Sequence, residues 1–236
     1  MSAMWHSLWN DASALNRIAA VLALVTIALI GMVAMKNVAA RPEFAIRSVV
    51  VTGKLLNADP AHIASVVHHD LRGTFFTIDV GSARDALQRV AWVRRVSVRR
   101  EWPARIEIAI EEHQPLARWN DGALVSTRGD VFRAPYEGFL PRFKGPEGAA
   151  AQMVRELPAI RAAIEPLASA VTEIRLSPRG AWQVGLESGL TLDLGRGDIH
   201  PRLVRFIAAW PQLAAQGAET KHADLRYANG FAMQRK

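Results

Sequence analysis

The chain has 236 residues, half of them apolar, and carries 29 Lys and Arg against 22 Asp and Glu, a formal charge of +7. It is too apolar to be a disordered chain, and long enough for one large or two modest domains with a proper core. The absence of cysteine excludes disulfides, thiolate metal sites and cysteine nucleophiles, while the basic excess favours acidic partners: protein, anionic lipid head groups or nucleic acid.

Up to Met35 the only charged side chains are Asp11 and Arg17, so the whole excess lies further on. After a polar and aromatic lead, residues 1–17, comes an uncharged run at residues 18–35, IAAVLALVTIALIGMVAM. As a helix it is about 27 Å long, close to the hydrocarbon thickness of a bilayer. It reads as a retained membrane span rather than a signal peptide, whose apolar core is about 7 to 15 residues. The one cleavage-like site is around Val38-Ala39-Ala40. Arg17 precedes the span, and Lys36, Arg41 and Arg47 follow it, so the positive-inside rule taken literally places the large domain in the cytoplasm.

A connector, residues 36–43, leads to a predicted strand over 44–52, FAIRSVVVT, ended by Gly53. Asp59-Pro60 starts a helix, as N-cap and first helical residue, carrying Ile63, Val66 and Val67 inward. Residues 73–79 read as a short extended piece. A second helix over 81–89 buries Ala83, Ala86, Leu87 and Val90. A hairpin closes the unit. Val96 and Val98 alternate on its first arm, Ile106, Ile108 and Ile110 on its second, with Trp102-Pro103-Ala104 as the loop. That register sets Glu101 opposite Arg105, Arg99 opposite Glu107 and Arg95 opposite Glu111; slipping it by two residues would oppose Arg99 with Arg105. Strand, helix, helix, strand, strand makes a small α+β domain with helices on one sheet face.

From His113-Gln114-Pro115 onward the pattern is mostly strands with tight turns. Asn120-Asp121-Gly122 and Arg128-Gly129-Asp130 separate short strands at 116–119, 123–126 and 131–132. A loop over 141–148 precedes a helix over 147–167, which Pro158 interrupts and Pro166 ends. A second hairpin, 182–194, pairs Leu186 with Leu190, Val184 with Leu192 and Trp182 with Leu194 around Glu187-Ser188-Gly189. A helix over 198–216 with Asp198 as N-cap, a strand over 223–227, the turn signal Asn229-Gly230 and an apolar piece at 231–233 complete the chain.

No residue set specifies catalysis, a cofactor or a metal. His62, His68, His69 and Asp70 have poor spacing for one helix face. Glu111-Glu112-His113 lies at a strand end without the helical two-histidine pattern, and Leu194 to Asp198 lacks the lysine and spacing of a phosphate loop. Arg94, Arg95, Arg99, Arg100 and Arg105 suggest nucleic acid, but three of the five face carboxylates in the proposed register and no stacking aromatics are suitably interleaved.

The single span, the VSVRREWP and EEHQPLARWND segments, GPEG at 145–148, LGRGD at 194–198 followed by RLVRF, and DLRY at 224–227 are collinear. Together they resemble the FtsQ family, bitopic cell-division proteins of Gram-negative bacteria, over nearly the whole chain. The resemblance implies a POTRA domain at 44–113 and a β domain at 114–236. It implies a non-enzymatic inner-membrane scaffold at the division septum, with residues 1–17 cytoplasmic and the folded part periplasmic. Long domains translocate largely regardless of flanking charge, so the three basic residues after the span do not forbid this. The resemblance further implies FtsB, in complex with FtsL, as partner, adding a strand to an edge near the chain end, and other division proteins at the POTRA domain. The residues that match are Arg179 before Trp182, and Arg226, Tyr227, Ala228, Asn229, Gly230 and Phe231. Phe231 departs from the smaller residue expected after that glycine. The competing reading keeps the POTRA unit but assigns it to outer-membrane protein assembly or secretion. It has against it a single such unit, the anchor and the lack of a following barrel.

Overall fold

The computed structural model describes residues 12–71, 73–215, 220–227 and 230–235. They fall into two compact units, residues up to 90 with 95–111, and 91–94 with 112 onward.

The first unit begins with helix α1 (Ala12–Ala39), which contains a candidate span at Leu15–Ala39 with none of its most apolar window buried by protein. The helix runs past the uncharged stretch at both ends. It is followed by a single 3₁₀ turn, Pro42–Phe44, where the sequence predicts the start of a strand. Pro42 presets the turn, and the Phe44 and Ala45 amides donate to the Arg41 and Pro42 carbonyls at 3.1 and 3.0 Å. Strand β1 (Ser48–Thr52) therefore starts late; it is exposed throughout and parallel to β3 (Arg105–Glu112). With β2 (Val93–Glu101) the sheet order is β1-β3-β2.

Helix α2 (Pro60–Asp70) has the expected cap, the Asp59 carboxylate accepting from the Ala61 amide at 2.9 Å, and buries Ile63 and Val67. Residues 73–79 close into a turn instead of extending, with the Ile78 amide donating to the Thr74 carbonyl at 2.9 Å. Asp79 then caps α3 (Val80–Gln88) through the Gly81 and Ser82 amides, and Ala83, Ala86 and Leu87 are buried. In the hairpin Ile106, Ile108, Ile110 and Val96 are buried and Val98 is half-buried. Glu101 and Arg105 face each other across the loop at 3.7 Å, and Arg100 donates to the Ile78 carbonyl at 2.6 Å.

The second unit is a nine-stranded sheet in the order β12-β11-β10-β9-β8-β7-β4-β5-β6. Its strands are β4 (Pro115–Trp119), β5 (Ala123–Ser126), β6 (Val131–Phe132), β7 (Arg142–Lys144), β8 (Val171–Leu176), β9 (Trp182–Leu186), β10 (Thr191–Gly195), β11 (Thr220–Asp224) and β12 (Ala232–Arg235). Helices α4 (Ala150–Ile164) and α5 (His200–Ala215) share one core with the sheet: Met153, Leu157, Ile160, Leu203 and Phe206 pack with Phe143, Ile174, Val184 and Leu192. Pro158 sits inside α4 without breaking it, and the helix ends in a 3₁₀ turn, Glu165–Leu167. At the start of this unit Arg94 donates to Asp130 at 2.9 Å; this salt bridge holds the Asp130 carboxyl below its usual range against the opposing effect of burial.

Two strands at the middle of this sheet are absent from the sequence reading. Strand β7 occupies what reads as loop, running parallel to both β4 and β8 with Phe143 fully buried. Strand β8 joins β7 to β9.

Candidate partner-binding site

The site forms where β10, β11 and β12 follow one another at one end of the sheet. β9 and β10 are the expected hairpin, with Val184 opposite Leu192 and the Leu186 amide donating to the Leu190 carbonyl at 2.9 Å. Gly189, at φ +85°, supplies the left-handed turn residue. The far end differs from expectation: a bulge between Asp193 and Gly195 places Trp182 opposite Gly195, not Leu194. Gly195 adopts φ +70°, and a Cβ there would lie 3.0 Å from Arg226 Cγ and 3.1 Å from Arg202 Nη1. The left-handed φ is what calls for glycine at the bulge, while the neighbouring arginine side chains would have to shift slightly for a Cβ.

β11 runs parallel to β10, with Leu192 beside Ala223. Asp193 of β10 ties β9 and β11 to its own strand, accepting from Gln183 Nε2 at 2.7 Å and meeting His222 Nε2 at 3.0 Å. The strand stops at Asp224 rather than continuing to Tyr227. The Asp224 carboxylate folds forward to accept from the Arg226 amide at 3.0 Å and from its guanidinium at 2.6 to 3.0 Å. That side-chain competition for a backbone donor ends the strand. The Arg226 hydrogen bonds hold the Asp224 carboxyl below the ordinary carboxylate range, against the upward push of burial, and the Arg226 pKa is raised in turn.

Nor is β11 the edge. β12 pairs with it antiparallel, Ala223 opposite Met233 and Asp224 opposite Ala232, so β12 ends the sheet. Among the described residues no strand pairs with the outer side of β12. Its signal is present in the sequence: Asn229-Gly230 marks the turn, and half-buried Phe231 and Met233 alternate with exposed Ala232 and Gln234. Phe231 packs edge-on against Phe206 of α5, with ring centroids 5.3 Å apart, and so anchors the edge strand to the core.

The residues singled out from sequence divide accordingly. Tyr227 is 56% exposed, its carbonyl accepting from Arg205 Nη1 at 3.2 Å. Arg226 is exposed as Asp224's partner, and Gly230 and Phe231 lead into β12. Ala228 and Asn229 lie outside the described residues. Arg179 is exposed in a turn closed by Gly180, whose amide donates to the Ser177 carbonyl at 2.9 Å. A shallow cleft of about 260 Å³ joins that turn, through Ser177, Ala181 and Trp182, to Gly195 and Arg226. Trp182 lines this cleft with the little of it that is exposed, 5%, while the rest of its side chain lies in the core.

An unburied apolar N-terminal helix, a small α+β module and a β-rich unit fit the class of single-pass membrane proteins with a folded extramembrane part. Comparison with known proteins gives the particular family. Residues 44–113 match the FtsQ-type POTRA domain, and residues 117–226 match the C-terminal domain of the cell division protein FtsQ/DivIB. Curated relatives named Cell division protein FtsQ include those of Nitrosospira multiformis, 38% identical over 80% of this chain and 81% of the relative, and Burkholderia pseudomallei, 35% identical over 96% and 94%. The Bordetella pertussis protein is 34% identical over 96% of this chain and 92% of its own length. The chain belongs to the FtsQ family of cell-division proteins, and its role is in the divisome.

Proposed function

We propose that the chain is a non-enzymatic scaffold of the inner membrane that binds the FtsB/FtsL complex through strand β12. In this assignment residues 1–17 are cytoplasmic, 18–35 cross the membrane and 36–43 connect to the folded part. The POTRA domain at 44–113 and the β domain at 114–236 are periplasmic at the septum, with the POTRA domain contacting other division proteins. One observation carries the reading: β12 ends the sheet among the described residues, and Tyr227, a few residues before it in the chain, is exposed. A partner strand can satisfy the outer backbone groups of β12, while Tyr227 supplies the large amphipathic side chain typical of binding hot spots.

Titration calorimetry with purified FtsB/FtsL tests this. Tyr227→Ala is expected to weaken binding by about 2 kcal/mol, roughly thirtyfold, with the fold retained. Unchanged affinity would remove Tyr227 from the interface. Topology is tested separately by alkaline phosphatase fused after Lys236, which is active only if exported; activity from a cytoplasmic reporter alone would reverse the orientation.

A further inference from the structure

Four aromatic rings of the first unit form one tier beside the end of α1. Phe44 meets Phe76 at 5.1 Å and Phe76 meets Phe75 at 5.3 Å, while Trp102 lies 5.8 Å from Phe75 and 6.4 Å from Phe76. Phe75 is buried, but Phe76 is 47% and Trp102 70% exposed. Trp92, Trp119 and Trp182, by contrast, are all buried. Scattered exposed apolar residues need no explanation, whereas a contiguous exposed aromatic patch marks a contact surface.

The position of the tier says what that contact is. Thr74 Oγ1 donates to the carbonyl of Ala39, the last residue of α1, at 2.6 Å, and the Phe75 amide donates to the Phe44 carbonyl at 2.8 Å. The Arg47 amide donates to the Ala104 carbonyl at 2.9 Å, which ties the loop carrying Trp102 to the same segment. The uncharged run stops at Met35, so Ala39 lies about 6 Å further along the helix axis. The head-group layer on each side of a bilayer is about 5 to 8 Å thick. The turn carrying Phe75 and Phe76, which Thr74 fastens to the Ala39 carbonyl, therefore stands at head-group depth. Lys36, Arg41 and Arg47 are exposed along the connecting chain, and Arg105 follows the Trp102 loop; Glu43 and Glu101 are the acidic groups among them. Cations outnumber carboxylates where lipid phosphates would lie, and amphipathic tryptophan is the residue favoured at that depth.

We infer that the membrane-proximal end of the first unit is a lipid-binding surface. Phe44, Phe76 and Trp102 seat in the head-group layer of the bilayer that α1 crosses, with Lys36, Arg41 and Arg47 on lipid phosphates. This rests on α1 spanning the membrane and is independent of any division partner. It also gives the three basic residues that oppose the positive-inside rule a task of their own.

Because the chain has no cysteine, single spin labels can be placed without background. The full-length chain carrying Phe76→Cys, Trp102→Cys or Val25→Cys is labelled in nanodiscs of phosphatidylethanolamine and phosphatidylglycerol. Accessibility to oxygen and to a water-soluble nickel chelate is then measured. The inference predicts a several-fold loss of nickel accessibility at 76 and 102 relative to a water-exposed label, with Val25 strongly oxygen-favoured. As each label replaces one ring, a second measurement keeps the tier intact: brominated lipids should quench more tryptophan emission in the unaltered chain than in Trp102→Phe. Water-like labels at 76 and 102 with Val25 in the hydrocarbon, or protection arising only when another membrane protein is added, would overturn the lipid surface. A water-exposed Val25 would instead overturn the span, and the inference with it.

Discussion

The two ends of the last five strands in the β-rich unit are built differently. In β8, β9 and β10 each strand is paired on both sides, and Ile174, Val184 and Leu192 are fully buried under α4 and α5. In β12 one side is paired, and the side chains holding it down are the half-buried Phe231 and Met233. By burial and pairing the interior strands are expected to open least and the edge strand most readily. The proposed pairing with a partner strand needs this division, since β12 would have to offer backbone donors and acceptors without unfolding.

The contrast is sharpened first by Phe143→Ala in the buried strand β7. It should cost about 3 to 5 kcal/mol, the range for truncating a fully buried aromatic, read as a lowered midpoint in chemical unfolding. Phe231→Ala removes a half-buried ring and should cost roughly 2 kcal/mol. Its distinguishing sign is local, with faster amide exchange in β12 and interior strands nearly unchanged. If exchange rises equally across the sheet, the edge is not a separate element. Tyr227→Ala, at an exposed position, should stay within about 0.5 kcal/mol of the parent in stability. The smallest effect belongs to Asp224. Its folded pKa is depressed by Arg226, so its contribution is present above the unfolded carboxylate value, about 3.9, and fades as pH falls through the folded pKa. Asp224→Asn should therefore flatten the acid limb of the stability curve and leave the neutral limb parallel to the parent's; an unchanged acid limb would remove this pair from the account.

What the sequence disclosed depended on how regularly side chains alternate. The three buried isoleucines of β3 and the hairpin around Gly189 are legible because period two is unbroken there and the turn residues agree with it. Strand β8 escaped because a register shift between Val171 and Glu173 leaves its buried residues at Val171, Ile174 and Leu176, a step of three and then two. Strand β7 is three residues long and buried between parallel neighbours, too short for any period to appear. At the candidate site the sequence puts the last strand at residues 223–227, one strand short of the sheet edge, β12. The strand read over 223–227 stops at Asp224 because its carboxylate folds forward onto Arg226, a side-chain event that hydrophobic pattern does not encode. Trp182, grouped with the interface by its resemblance, is core.

The most direct test of the edge is amide hydrogen exchange on the full-length chain in nanodiscs, with and without FtsB/FtsL. The amides of Ala232–Arg235 should slow markedly on binding while those of β8 and β9, paired on both sides, stay unchanged. Protection confined to another surface, with β12 exchanging as before, would contradict the proposed pairing.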